Sequence, residues 1–121
     1  MVSCAVILVA QPIACAEANS DCGVFPSARW IIYDKNEPPE HRVILRTTIR
    51  RDGSIIWHGA STSEESLVSY LQVAREMNPT PYLVLQYEAG TPCSQLVHFR
   101  EVFERRANCG RETVCSARVV P

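Results

Sequence analysis

The sequence has little net charge and lacks the motifs of common enzyme sites. Its formal net charge is −1 at pH 7 and its pI is about 6.3, so the chain as a whole has no electrostatic reason to bind nucleic acid or an anionic membrane. It contains no glycine-rich phosphate loop, no G-x-S-x-G and no H-E-x-x-H. We therefore expect neither nucleic-acid binding nor a cofactor.

Histidine is scarce as well, with only His41, His58 and His98. Cys93 and His98 are five residues apart in a predicted helix, a spacing that does not bring a nucleophile and its base together on one face. The cysteines lack the short spacing of a zinc site. The prediction is a protein that is not an enzyme and has no metal.

The sequence also lacks an apolar run of about 20 residues, the length that spans a bilayer. Val2–Ala10 is uncharged and apolar but short, as in a secretory signal, and Ala14-Cys15-Ala16 supplies the small residues of a cleavage site. We predict a signal peptide over residues 1–16 and a periplasmic or secreted protein. Two alternatives stay open: a lipid on Cys15, or an uncleaved anchor that leaves the protein facing the periplasm.

Cysteine usage agrees with export. Removing residues 1–16 leaves four cysteines, and an even number in an exported chain predicts two disulfides. These four are Cys22, Cys93, Cys109 and Cys115.

A hairpin is the clearest local signal. From His41 onward, the residues Val43, Leu45, Thr47 and Ile49 alternate with polar residues, as in a strand with one buried face. Asp52-Gly53 is a preferred dipeptide of two-residue turns. Such a turn pairs Arg51 with Ser54 and sets Ile49 opposite Ile56 on the buried face, so Ile55 and Trp57 are expected to point away from the core.

Two helices are predicted after the hairpin. The first has Thr62 as its N-cap, with Glu65 three residues later, and ends at Asn78-Pro79. Its inner face is predicted to hold Leu67, Tyr70, Leu71, Ala74 and Met77. The second is predicted to be capped by Thr91 and stopped by Gly110. Its inner face is predicted to hold Leu96, Phe99, Val102 and Phe103.

Strands are predicted between and after these helices. Pro81–Gln86 is an almost continuous apolar run, typical of a central strand buried on both faces, and 112–120 reads as a last strand. Residues 17–40 form an irregular lead-in, in which "RWIIYD" is a short strand candidate. The predicted fold class is α/β (α+β): a two-layer sandwich with a mixed sheet of about four strands, β-β-α-β-α-β, and both helices on one face.

This order restricts the disulfides. A helix over 92–108 separates Cys93 from Cys109 by about 24 Å, and bonded cysteines need Cα atoms within about 7 Å. We prefer Cys22–Cys93 with Cys109–Cys115. The other pairing, Cys22–Cys109 with Cys93–Cys115, requires the last strand to reach back along the helix.

Residues 42 to 119 resemble the periplasmic domain of the ExbD/TolR family of biopolymer transport proteins. The resemblance rests on an ordered set: the strand Val43–Ile49, Asp52-Gly53, the helix start at Thr62, the strand after Pro81, and Gly110 before the last strand. It implies a domain over 41–121. In that family a transmembrane helix with an acidic residue couples the domain to proton flow; nothing acidic precedes Glu17 here.

The resemblance therefore implies an exported domain that binds a transport or cell-envelope protein, or the cell-wall polymer, without the proton-coupling helix. The alternative is a free-standing secreted, disulfide-stapled protein with a binding or inhibitory role. The candidate partner-binding residues are Trp57, Ile55, Arg46, Arg50 and Arg51. For Trp57 the competing expectation is that residues 30–33 of the lead-in cover it. Sheet edges are further candidates, either for a homodimer or for an extended peptide.

Overall fold

The computed structural model describes residues 22–25, 27–32 and 43–120. The predicted signal peptide over 1–16, its cleavage site and most of the lead-in lie outside these residues. The elements in chain order are β1 (Ile31–Ile32), β2 (Ile44–Ile49), β3 (Ile55–Trp57), β4 (Ala60–Thr62), α1 (Glu64–Arg75), β5 (Tyr82–Glu88), α2 (Cys93–Arg106) and β6 (Val114–Val120).

The strands form one mixed sheet in the order β1-β6-β5-β2-β3-β4. β1, β6, β5 and β2 run parallel to one another, while β3 is antiparallel to both β2 and β4. The predicted α+β class is confirmed. The sheet has six strands rather than about four, because two short strands, β1 and β4, are added at its edges; β1 lies in the segment predicted as a short strand.

β5 lies at the centre of the parallel part of the sheet. It pairs in parallel with β2 on one side and β6 on the other, and Tyr82–Leu85 are buried without interruption. A strand covered on both faces gains nothing from polar alternation, which explains the continuous apolar run. The prediction of a central strand buried on both faces is confirmed.

Both helices pack on the same face of the sheet. They share one core with the alternate residues of β2 and β5 that point to this side, such as Ile49, Leu83 and Leu85. The buried helical side chains are Leu67, Leu71 and Ala74 from α1, and Leu96, Phe99, Val102 and Phe103 from α2. The predicted inner face of α2 is therefore confirmed in full.

Both predicted N-caps are wrong. Thr62 ends β4, so the first residue free to cap α1 is Ser63, whose Oγ accepts from the Ser66 amide at 3.1 Å. The Thr91 hydroxyl donates instead to the Glu88 carbonyl at 2.7 Å. α2 follows Pro92 with no side-chain cap.

The described part of the lead-in is bound along α2. Cys22 forms a disulfide with Cys93, the first residue of α2. Near the other end of the helix, Trp30 Nε1 donates to Glu104 Oε2 at 2.7 Å and Arg29 Nε donates to the Cys109 carbonyl at 2.8 Å. A cation at a helix C-terminus is also favourable to the helix dipole. The lead-in therefore holds α2 at both ends.

The second disulfide joins Cys109 to Cys115, with a Cα–Cα distance of 5.5 Å. The structure thus has the pairing that the sequence favoured, and two disulfides are compatible with an exported protein. Gly110, between them, has φ +85°, and a Cβ there would lie 2.7 Å from the Arg29 carbonyl oxygen. Only glycine suits that conformation and that contact. Among the described residues, no helix is long and apolar enough to cross a membrane.

Candidate partner-binding surfaces

The hairpin between β2 and β3 differs from its prediction by one residue. Arg50, not Arg51, pairs with Ser54 through an amide-to-carbonyl hydrogen bond of 3.0 Å, and Ile49 lies opposite Ile55. The loop therefore has three residues, with Gly53 at φ +92°. Asp-Gly fits such a loop as well as a two-residue one, because both need a residue with positive φ.

This register reverses the expected orientation of β3. Ile55 is only 5% exposed and belongs to the core, so the expectation that it points outward is wrong. Trp57 lies on the same side and is half-buried. A slip of one residue exchanges the two faces of a strand.

Among the described residues, Trp57 is covered by α1. Its ring stacks on Tyr70, with centroids 5.0 Å apart and an angle of 25° between planes. Trp30 instead packs beside Phe25 and Phe103. Residues 30–32 therefore do not cover Trp57, since β1 lies at the opposite edge of the sheet, and residue 33 lies outside the described residues. The Trp57 side chain keeps part of its surface in solvent.

The three candidate arginines are all exposed, but they are not equivalent. The Arg51 backbone amide donates to Glu88 Oε1 at 2.8 Å and its Nη1 donates to the Ala89 carbonyl at 3.2 Å. Arg51 thus holds the hairpin loop against the loop before α2. Arg46 points to the sheet face opposite the helices, since it alternates with Thr47. A partner-binding role for Arg46, Arg50 and Arg51 stays a prediction.

The loop itself is rigidified by Asp52. Its Oδ1 accepts from the Ser54 hydroxyl at 2.7 Å and from the Ser54 amide at 2.9 Å. These hydrogen bonds lower the pKa of the Asp52 carboxyl below its ordinary value.

β4 was missed by the sequence reasoning. His58 and Gly59 have φ values of 48° and 84° and reverse the chain in two residues, after which β4 pairs back on β3. Glycine after a strand of β-formers was the available signal. β4 is the last strand on its side of the described sheet, and its three residues carry no charge.

α1 carries more apolar surface than the core uses. Tyr70 and Met77 were predicted on its inner face, but each is 38% exposed. Val73, between them, is 62% exposed. The expectation for Tyr70 and Met77 is wrong because only one narrow side of α1 meets the sheet.

A cleft of about 450 Å³ lies where the hairpin loop meets the first turns of both helices. Ile55 and Phe99 form its apolar base, and Glu64 and His98 lie at its side. His98 Nε2 is 2.8 Å from Glu64 Oε2, an ion pair between the two helices when the imidazole is protonated. Both side chains are about half exposed, so solvent weakens this contact.

Within the described residues, His98 has neither a free thiol nor a metal-binding cluster beside it. Every cysteine of residues 22–25, 27–32 and 43–120 is in a disulfide, including Cys93. No group of three His, Cys, Asp or Glu side chains in these ranges could hold a metal ion. The remaining lining of the cleft is polar, with side chains such as Ser63, Ser94 and Gln95.

Comparison with known proteins does not assign this chain to a family. No family model, no curated protein and no solved structure matches this chain.

Proposed function

We propose that this chain is an exported, ExbD/TolR-like periplasmic domain that binds a transport or cell-envelope partner. The observation that supports binding is the free side of β4. In the described part of the sheet no strand lies beyond β4, and its side chains do not include the charges that usually protect such edges. An extended segment of a partner could add there as a further strand.

The neighbouring surface suits the same role. The hairpin that ends in β4 places the half-buried Trp57 beside it, and tryptophan is enriched among residues that dominate binding energy. The short edge offers few backbone hydrogen bonds, so the expected complex depends on side-chain contacts as well.

The test is photo-crosslinking of the full exported chain in its native envelope. A photoreactive residue at Ser61 should yield an adduct with an envelope or transport protein, or with the cell-wall polymer. The same residue at Arg105, exposed on the last turn of α2, should not. Equal adducts at both positions, or none at Ser61, would contradict the proposal.

A free-standing secreted binding or inhibitory protein is the second candidate. The two disulfides favour it, because small secreted domains that work alone are commonly stapled in this way. The intact mass of the exported protein helps to distinguish an envelope-bound domain from a free-standing secreted protein. A cleaved chain recovered as a free monomer, with no envelope adduct at Ser61, would support the second candidate.

A further inference from the structure

α1 has two apolar stripes, and only one of them is needed for the fold. Leu67, Leu71 and Ala74 are buried against the sheet. Tyr70, Val73 and Met77 recur at i, i+3 and i+7, so they lie on one side of the helix, and they are 38%, 62% and 38% exposed. Met77 lies two residues after the last helical residue but continues the turn, since its amide donates to the Ala74 carbonyl at 3.1 Å.

Trp57 extends this second stripe. Its ring stacks on Tyr70 and carries the apolar surface from α1 onto the sheet. Aromatic residues and methionine are enriched at protein interfaces, and an aromatic pair already stacked loses little conformational entropy when a partner binds. We call the surface formed by Trp57, Tyr70, Val73 and Met77 the α1 ledge.

We propose that the α1 ledge binds an amphipathic helix of a partner protein, with basic side chains flanking the apolar face of that helix. This inference rests on the proposed function, and it names a surface and a partner chemistry for it. A ridge of side chains at helical spacing is the surface against which a second helix packs, with the axes 8–10 Å apart.

The α1 ledge is too small for a stable interface with a second copy of this chain, but it is large enough to bind a single helix. The side chains of Tyr70, Val73 and Met77 together expose on the order of 250 Å² of surface. A stable interface buries about 800 Å² on each partner. A single helix can match a narrow stripe and form a weak, reversible complex.

The acidic residues near the α1 ledge favour basic side chains on the partner helix. Glu65 of α1 and Glu76, the C-cap of that helix, are exposed and take part in none of the ion pairs of the described residues. The pKa of the neighbouring Arg75 is raised mainly by its hydrogen bond to Glu112 and, to a smaller extent, by the charge of Glu76. Arg75, the only basic residue of α1, is 2.7 Å from Glu112. A second copy of α1 would oppose these glutamates with its own, whereas lysine or arginine on a partner helix would complement them.

The test uses the full oxidised chain and a synthetic helical peptide of about 14 residues, or four turns. The peptide has leucines at i, i+3, i+4 and i+7 on one face, with lysines on both sides of that face. A second peptide replaces the lysines with glutamates. Binding is measured by fluorescence anisotropy of the labelled peptides, and the contacted residues are mapped by amide chemical shifts.

The key variant is Val73→Lys, and its matched control is Gln72→Lys, which adds the same charge to the neighbouring exposed position. Val73→Lys should weaken binding of the lysine peptide at least about ten-fold, whereas Gln72→Lys should change it less than about two-fold. Glu76→Lys should weaken it about three-fold at low salt. Unchanged thermal unfolding of all three variants would show that each of them folds.

In the binding experiment, the inference would be overturned by equal effects of Val73→Lys and Gln72→Lys, by tighter binding of the glutamate peptide, or by a dimer of the chain that Val73→Lys dissociates. Crosslinking from Ser61 separates this inference from the proposed function. An envelope adduct at Ser61 that is unaffected by Val73→Lys leaves the proposed function standing and overturns the role of the ledge. Peptide binding with no adduct at Ser61 does the reverse.

Discussion

The two helices lie on the same face of one sheet, but the chain holds them in different ways. α2 is tied by the lead-in at both ends, through Cys22–Cys93 and through Arg29, and none of the exposed large apolar side chains of the described residues lies on it. α1 supplies its own cap and leaves Tyr70, Val73 and Met77 in solvent. The large apolar side chains of α2 are therefore used by the core, whereas α1 keeps part of its apolar surface exposed.

The largest effect on the free energy of unfolding is expected for a core residue of α2. Phe103→Ala in α2 removes a side chain with no exposed surface and should cost about 3–5 kcal/mol in the free energy of unfolding. Val73→Ala in α1 should change it by less than about 0.5 kcal/mol, because that side chain is mostly in solvent. Urea unfolding of both variants measures the difference; similar losses would contradict the division of roles.

The two disulfides should differ next. Chain entropy predicts about 4 kcal/mol for a bridge across 71 residues and about 2 kcal/mol for one across six. A Cys109→Ala/Cys115→Ala variant retains only the bridge between the lead-in and α2, and a Cys22→Ser/Cys93→Ser variant retains only the short one. The stability that each variant loses on reduction isolates its remaining bridge. A larger loss of stability on reduction in the Cys22→Ser/Cys93→Ser variant would show that the Cys109–Cys115 bridge stabilises the fold more than the bridge from the lead-in to α2.

A smaller effect should come from the cap that α1 has and α2 lacks. Ser63→Ala removes the acceptor for the Ser66 amide and should destabilise the protein by about 1 kcal/mol. Ser63→Asp, which keeps an acceptor, is the control and should retain stability. Hydrogen exchange should become faster in the first turn of α1 and stay unchanged in α2; faster exchange in both helices would argue against independent capping.

The smallest effect concerns the last turn of α1. The hydrogen bond from Arg75 lowers the pKa of Glu112, so this contact supports the fold above the ordinary carboxyl range and is lost as the pH falls through the lowered pKa. Both side chains are exposed and their contact is screened by solvent, so the consequence for stability should be slight. An NMR titration should show the Glu112 pKa returning upward in Arg75→Ala; an unchanged value would show that the pair does not persist in solution.

The sequence predicted most of the architecture and less of the surface. The inner face of α2, the buried run of β5 and both disulfides follow from local spacing and from helix length. Ile55 was misplaced because Asp52-Gly53 is compatible with two loop lengths, and the choice between them is made by the pairing of Ile49 with Ile55 in the core. β4 was missed because its three small residues, Ala60–Thr62, carry no strand periodicity.

The period at which apolar residues recur was enough to predict both helices and four of the strands, because it reports which side chains are buried. It did not separate the core side of α1 from its exposed side, since Tyr70 and Met77 fit the same helical pattern as Leu67. That division appears in the folded protein: Leu67, Leu71 and Ala74 are buried, whereas Tyr70, Val73 and Met77 are at least 38% exposed. The reason is that burial depends on neighbours that are distant in sequence, such as Trp57, which stacks on Tyr70.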